Sequence, residues 1–416
     1  MQIAKIAVEA ATYAIDKPYS YLVPSDMEVS VGCRVLAPFG RGNRTSEGVV
    51  LSLEQGVPSG PLKALRLNLD GEAVISQREI RLALWMRQRY FCTFYDAIRT
   101  ILPAAVWYRY QELWQLVQGV VWDGLSDKET AVCHLLTEGP QEISVLQEAL
   151  GEGVTAVLRG LEKRGVVSQQ TLSRRTVQDK AVQLARLVLP EDEAAAWAQS
   201  RKKSARRMYD AVQFLLQQGE TAVHELCYFT GVSRQTVTAL EKRGVIALRT
   251  EETYRITEKT YAVKADNITL NDEQQQAYED ILRRVLTGKG GVTLLQGVTG
   301  SGKTLVYIRL AQELLAQGSS VMILVPEIAL TPQMMARFTA YFGDRVALLH
   351  SGLRMTERYD QWKRIRKGEA TVVLGTRSAV FAPLERLGLI IMDEEQEGSY
   401  ESERSPCYHA RDIAKY

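Results

Sequence analysis

The chain reads as a multidomain α/β protein: a small β-rich N-terminal part, a helical middle, and a parallel, doubly wound α/β unit at the end. Three observations support this. Short apolar runs broken by turn clusters fill the first 70 residues, a hexapeptide recurs in the middle, and five apolar runs alternate with helical patterns after residue 266. At 416 residues, 46% apolar and 24% charged, the chain exceeds one core and suggests about three domains at roughly 150 residues each. A net charge of +2 does not point to nucleic acid, so any such surface has to be local.

The start, Met1-Gln2-Ile3-Ala4-Lys5, lacks a signal-peptide core, and no run of about 18 apolar residues occurs. A soluble cytoplasmic protein with no membrane partner is expected. Cys33, Cys92, Cys133, Cys227 and Cys407 lie far apart with no C-x-x-C pair, which suggests reduced, mostly buried thiols and no zinc site.

In the first part, apolar runs at 3–8, 19–23, 34–38 and 48–53 are separated by clusters such as Pro24-Ser25-Asp26 and Gly40-Arg41-Gly42-Asn43. Helical periodicity follows, with Ile80, Leu84, Trp85, Tyr90 and Phe91 on one buried stripe ending before Pro103.

The middle holds the repeat. Leu161-Glu162-Lys163-Arg164-Gly165-Val166 recurs as Leu240-Glu241-Lys242-Arg243-Gly244-Val245. Each copy ends a helical stretch and passes an Arg-Gly turn into an apolar strand, the winged-helix pattern. In the second copy Ser233 is a natural N-cap before Arg234, Gln235 and Thr236, as at the start of a recognition helix. Two readings stay open: DNA contact through those three residues, or a spacer or docking module, favoured slightly by the lack of a dense basic stripe. Residues 190–203 read as an exposed helix linking the copies.

After 266, strand candidates at 292–295, 321–325, 346–349, 372–374 and 389–392 alternate with helices. Functional loops then gather at the carboxyl ends of the strands. Between the first strand and its helix stands Gly297-Val298-Thr299-Gly300-Ser301-Gly302-Lys303-Thr304, the full G-x-x-x-x-G-K-[ST] spacing in strand–loop–helix context. Its glycines let backbone N–H groups curl around a phosphate at a helix N-terminus. Lys303 reaches the β- and γ-phosphates and Thr304 ligates Mg²⁺. This predicts a nucleoside triphosphate site.

The acids ending the last strand supply the other half. Asp393 would hold the metal, usually through water, and Glu394 would orient and deprotonate the attacking water. Upstream, Gln274 sits three residues after the N-cap Asn271. It reads equally as a partner of the adenine edge and as a capping-box residue satisfying its own helix. Three further strand-end loops offer hydroxyls, backbone N–H groups or an Arg to phosphates: Thr331 in Pro326-Glu327-Ile328-Ala329-Leu330-Thr331-Pro332-Gln333, Gly352 in His350-Ser351-Gly352-Leu353, and Thr376 and Arg377 in Gly375-Thr376-Arg377-Ser378. Together they favour an ATP-driven nucleic-acid motor. The run Arg354, Arg358, Lys363, Arg364, Arg366 and Lys367 reads as a solvated helix face.

On these motifs, with Tyr408-His409-Ala410-Arg411-Asp412 near the end and Tyr19-Ser20-Tyr21-Leu22-Val23-Pro24 and Gly32-Cys33-Arg34-Val35-Leu36-Ala37-Pro38-Phe39-Gly40 near the start, the chain resembles the PriA family of bacterial replication-restart DNA helicases of superfamily 2. The resemblance implies a 3′-DNA-end-binding domain at 1–110, with Tyr19, Ser20 and Lys63 at the positions of its pocket. It implies winged-helix-like regions at 111–190 and 191–262 and a RecA-like helicase lobe at 263–416. It implies ATP-powered 3′-to-5′ unwinding of forked and single-stranded DNA. Implied partners are single-strand-binding protein, primosome proteins and the replicative helicase loader. The segment 399–408 matches an aromatic loop that senses single-stranded DNA, in which Tyr400 or Tyr408 would stack on bases, although the segment is acidic and lacks the usual Trp.

Three departures carry consequences. The family's Phe-Asp-Tyr reads Tyr19-Ser20-Tyr21, which removes an acceptor for a terminal 3′-hydroxyl, so weaker end selectivity is expected. Its D-E-E-H reads Asp393-Glu394-Glu395-Gln396; Gln396 donates a hydrogen bond but cannot be charged, so coupling of hydrolysis to DNA is expected to differ. No second lobe, arginine finger or family zinc ligands follow Asp412. The expectation is a fragment that binds ATP, Mg²⁺ and forked DNA but unwinds poorly, an arginine finger being worth about 10³–10⁵ in rate. The rival is a non-catalytic fork-binding fragment, and a third reading is an ATP-dependent regulator of duplex DNA.

Overall fold

The computed structural model describes residues 1–416 except 59, 118, 121–123, 176–179, 255–266 and 299, with backbone alone at 108–112, 171–175, 180–182 and 252–253. It divides into two compact units, 1–177 with 260–416, and 178–259.

The first unit opens with an antiparallel sheet of order β2-β1-β4-β3-β5, built from β1 (Gln2–Val8), β2 (Tyr19–Leu22), β3 (Arg34–Phe39), β4 (Arg44–Gln55) and β5 (Leu67–Asn68). The apolar runs at 3–8, 34–38 and 48–53 fall in these strands, and that at 19–23 does so up to Leu22. Gly32 makes the entry to β3 possible: its φ is +91, and a Cβ there would sit 2.0 Å from the Ile75 carbonyl oxygen. Helices α1 (Gln77–Tyr90) and α2 (Phe94–Ile101) follow, each started by a reciprocal capping box, Ser76 with Glu79 and Thr93 with Asp96.

The expected stripe on α1 needs correction. Ala83 and Met86 are its buried residues, whereas Leu84 is half exposed and Phe91 is 77% exposed. Phe91 terminates the helix in a left-handed turn (φ 50), which rotates its ring out of the helical stripe.

Next come β6 (Tyr108–Leu116), α3 (Asp127–Thr137), β7 (Gln141–Glu142), α4 (Ile143–Leu150), α5 (Val154–Lys163) and β8 (Val167–Arg175), with sheet order β7-β6-β8. The second unit repeats this plan with β9 (Lys180–Leu187), α6 (Glu191–Arg201), α7 (Arg206–Gln218), β10 (Thr221–Ala222), α8 (Val223–Thr230), α9 (Arg234–Lys242) and β11 (Ile246–Thr253), in the order β10-β9-β11.

The two hexapeptides occupy equivalent turns. Gly165 (φ 72) and Gly244 (φ 70) are left-handed, and Val166 and Val245 donate to the carbonyls of Leu161 and Leu240 at 2.9 and 3.2 Å. Two corrections follow. Strand β9 pairs with β10 and β11, so the boundary precedes residue 180 and does not fall at 190. Helix α6 is no exposed linker: Ala194 and Ala198 are fully buried in the second unit's core, a packing that alanine content alone does not reveal.

Back in the first unit, the last part comprises α10 (Asp272–Leu286), α11 (Lys303–Ala316), β12 (Ser320–Leu324), α12 (Pro332–Phe342), β13 (Val346–Leu349), α13 (Met355–Arg366), β14 (Val372–Gly375), β15 (Leu387–Met392) and α14 (Ala410–Lys415). Its sheet is parallel, in the order β13-β14-β12-β15. Four of the five expected strands form. The stretch 292–295 does not: Val292 and Leu294 are 70% and 74% exposed, and no backbone hydrogen bond joins it to β15. Only Leu295 packs inward, in the same apolar clusters as Leu389. Apolar composition favours a strand, but the strand exists only where a ladder closes.

The N-terminal part and this lobe share a core. Val74, Ile75, Met86 and Ile98 belong to one buried cluster with Met322, Leu324, Trp362 and Tyr400. Polar bonds reinforce it: Arg366 donates to the Val74 and Ala73 carbonyls, and the Trp85 ring stacks on Tyr416 at 4.6 Å. Helix α13 is therefore not a solvated face. Lys363 and Arg364 are buried, and Arg364 donates to the Val346 carbonyl at 3.2 Å.

Candidate active site

The glycine-lysine loop leads directly into α11. Gly302, in the left-handed region (φ 82), is the N-cap, and among the described residues no side chain caps the helix start; the Leu305 N–H turns back to the Gly302 carbonyl at 2.8 Å. A Cβ at Gly302 would lie 2.4 Å from Gln274 Nε2, and one at Gly297 would lie 2.7 Å from Ser301 Oγ. At Gly302 and Gly300 the left-handed backbone itself disfavours a side chain, although the space beside Gly300 is open. Helix α11 is held by Val306, Ile308, Leu310 and Leu314, each buried aliphatic side chain being worth about 1.5–3 kcal/mol.

Lys303 and the strand-end acids meet. Lys303 Nζ donates to the Gly297 carbonyl at 2.7 Å and lies 3.9 Å from Glu394 Oε1. Glu394 has a φ of 46, a left-handed conformation that a glutamate rarely adopts. Gln396 Nε2 donates to its other oxygen, Oε2, at 2.8 Å. Asp393 is half-buried, and burial raises its pKa, while the hydrogen bond from Tyr307 works the other way. An ammonium, two carboxylates and an uncapped helix start converge on one place. That donor set fits a phosphate chain with a divalent cation.

Of the other expected residues, Gly300 (φ 84) and Ser301 complete the turn, Thr304 lies in the first turn of α11, and Thr299 lies outside the described residues. Gln274 forms its capping box with Asn271, accepting from the Asn271 N–H at 3.0 Å, and its Nε2 also donates to the Ser301 carbonyl at 2.8 Å. Its side-chain amide thus braces the glycine-lysine loop as well as capping α10.

The strand-end track is only partly presented. Thr331, the N-cap of α12, and Gly352 are exposed. Thr376 is 3% exposed, and Arg377 Nη1 donates to the Ser399 and Glu401 carbonyls. Tyr408 is 4% exposed with its ring against Phe381, and Tyr400 is fully buried. Neither ring offers a face to a base, because both complete the lobe's core. In the N-terminal sheet, the Tyr19 ring meets Phe39 edge-on at 5.0 Å, Ser20 is exposed on β2, and Lys63 Nζ donates to the Gly40 carbonyl at 2.6 Å. A cavity of about 370 Å³ is lined by Glu9, Phe39, Gly40, Arg44 and Ser46, and by none of Tyr19, Ser20 and Lys63.

Two tyrosines escaped the sequence reading. The Tyr307 hydroxyl donates to Asp393 Oδ1 at 3.2 Å, and the Tyr400 hydroxyl contacts the Asp393 carbonyl at 2.6 Å. The available signal was spacing: Tyr307 follows Thr304 by three residues, on the same helix face.

Comparison with known families agrees. A model of a 3′DNA-binding domain matches residues 5–103, and one of DEAD/DEAH box helicases matches 271–413. Fold and site together define a DEAD/DEAH-box P-loop helicase lobe joined to a 3′DNA-binding domain. Proteins described as replication restart protein PriA align along the chain: that of Bacillus subtilis is 32% identical over all of it and 51% of its own length. That of Synechocystis is 32% identical over 95% and 48% respectively, and that of Haemophilus influenzae 30% identical over 99% and 47%. Along its whole length the chain is similar to proteins of the PriA family. It spans about half the length of the curated relatives it matches.

Proposed function

We propose that this chain is the DNA-capturing, ATP-binding part of a 3′-to-5′ DNA helicase that recognises stalled or forked intermediates in the cytoplasm and initiates replication restart. The observation that carries the reading is the meeting of Lys303 and Glu394 at 3.9 Å beside the open start of α11. Lys303 with Gly297, Thr299, Gly300, Ser301 and Gly302 binds the phosphates, and Thr304 and Asp393 would hold Mg²⁺, which would neutralise phosphate charge. Glu394 takes the proton of the attacking water while Gln396 fixes its orientation. Tyr19, Ser20 and Lys63 receive a 3′ end, and Thr331 and Gly352 grip the backbone of single-stranded or forked DNA. Single-strand-binding protein, primosome proteins and the replicative helicase loader are the partners this role calls for.

The test is Lys303→Ala. ADP affinity should fall at least about tenfold while affinity for a fork with a free 3′-hydroxyl stays within about twofold. Unchanged ADP affinity would remove the reading. One observation favours a second reading, a fork-binding chain with an idle nucleotide site: Lys303 Nζ is spent on its own loop at Gly297. Under that reading neither Lys303→Ala nor magnesium alters nucleotide binding.

A further inference from the structure

Asp393 Oδ1 accepts two hydrogen bonds, from the Tyr307 hydroxyl and from the Glu394 N–H, each at 3.2 Å. Among the described residues no donor reaches Oδ2. Tyr307 is 8% exposed and rises from α11 one turn beyond Thr304, so the helix that begins at the phosphate loop also reaches the strand-end acid. Two donors on one oxygen set the rotation of the carboxylate and leave the other oxygen for a cation. A carboxylate without them turns freely and needs ordering when metal arrives. Phenylalanine at 307 would preserve the ring and its packing beside Ile308, Val321 and Ile391 and remove a single oxygen.

We propose that Tyr307 is a positioning residue that aims Asp393 at the divalent cation accompanying the bound nucleotide. The proposal rests on the nucleotide-site reading above and deepens it. Its role is distinct from that of Lys303, which meets phosphate directly: Tyr307 acts only through the carboxylate. Its loss should therefore alter metal dependence and leave metal-free nucleotide binding alone, whereas a residue that merely supports the fold would alter both.

The experiment titrates Mn²⁺ against the chain with a fluorescent ADP analogue, for wild type, Tyr307→Phe and Asp393→Asn, with analogue affinity in EDTA measured alongside. Tyr307→Phe is expected to shift the Mn²⁺ midpoint upward by about tenfold or more, with EDTA affinity within about twofold of wild type. A Mn²⁺ midpoint in Tyr307→Phe within twofold of wild type, while Asp393→Asn is shifted, overturns this inference alone. An unshifted Asp393→Asn overturns the metal–nucleotide reading itself. Equal losses in EDTA and in Mn²⁺ assign Tyr307 a packing role and also overturn the inference.

Discussion

Gln396 Nε2 donates to Glu394 Oε2 at 2.8 Å, so the residue standing where the family's motif has histidine holds the carboxylate that faces Lys303. A neutral amide keeps this bond at every ordinary pH. Gln396→Ala should lower any DNA-stimulated ATP hydrolysis about tenfold or more and leave ADP affinity within twofold, because Glu394 loses its orientation and the phosphate contacts stay. Steady-state hydrolysis with and without a DNA fork, beside an ADP titration, measures both.

The Arg34–Asp70 pair should be a stability determinant of the N-terminal part. Both side chains are about 1% exposed; Arg34 Nη2 and Nε donate to the two carboxylate oxygens at 2.6 and 2.9 Å, and Nη1 reaches the Val106 carbonyl. Removing one partner strands a buried charge. Asp70→Ala should destabilise by about 3–5 kcal/mol, read as a lowered urea midpoint, and replacing both residues should be less harmful than the single change.

Glu47 predicts a pH effect. Burial pushes its carboxyl up to about 7 from 4.5, with the Arg34 guanidinium pulling the other way. The native state then holds this proton more tightly than the unfolded chain. The group's contribution is fully present below about pH 4.5, is lost as pH rises towards 7 and changes little beyond. Glu47→Gln should therefore melt a few degrees above wild type at about pH 8, with the gap closing towards about pH 5. A gap independent of pH would contradict the assignment.

Arg366 ties the parallel α/β lobe to the N-terminal part through the Val74 and Ala73 carbonyls, with its guanidinium 5.1 Å from the Trp362 ring centroid. Arg366→Ala should speed amide hydrogen exchange at residues 72–76 by about tenfold or more and leave the helices α10 and α11 as protected as before.

The local chemistry was legible in residue order. Glycines at 297, 300 and 302 before Lys303 mark the loop as a phosphate-binding candidate, and the repeated Lys-Arg-Gly turns mark two equivalent helix ends. Four of the five strands of the N-terminal sheet, all but β5, and the four strands of the lobe follow from apolar runs and turn residues, because both are encoded within a few neighbouring positions.

What the chain order could not supply was partnership. Whether 292–295 joins the sheet, whether β9 pairs forwards, and whether Tyr408 faces solvent or Phe381 depend on which distant surfaces meet. The same is true of Tyr307 and Asp393, 86 positions apart, and of Arg366 on Val74, 292 apart. Spacing puts Tyr307 on the helix face of Thr304, but nothing local names Asp393 as its partner or Val74 as that of Arg366. Residue types and spacing determined a candidate phosphate loop and a repeated helical module; tertiary packing decided which polar groups are spent inside the protein, since burial favours a partner wherever the fold provides one.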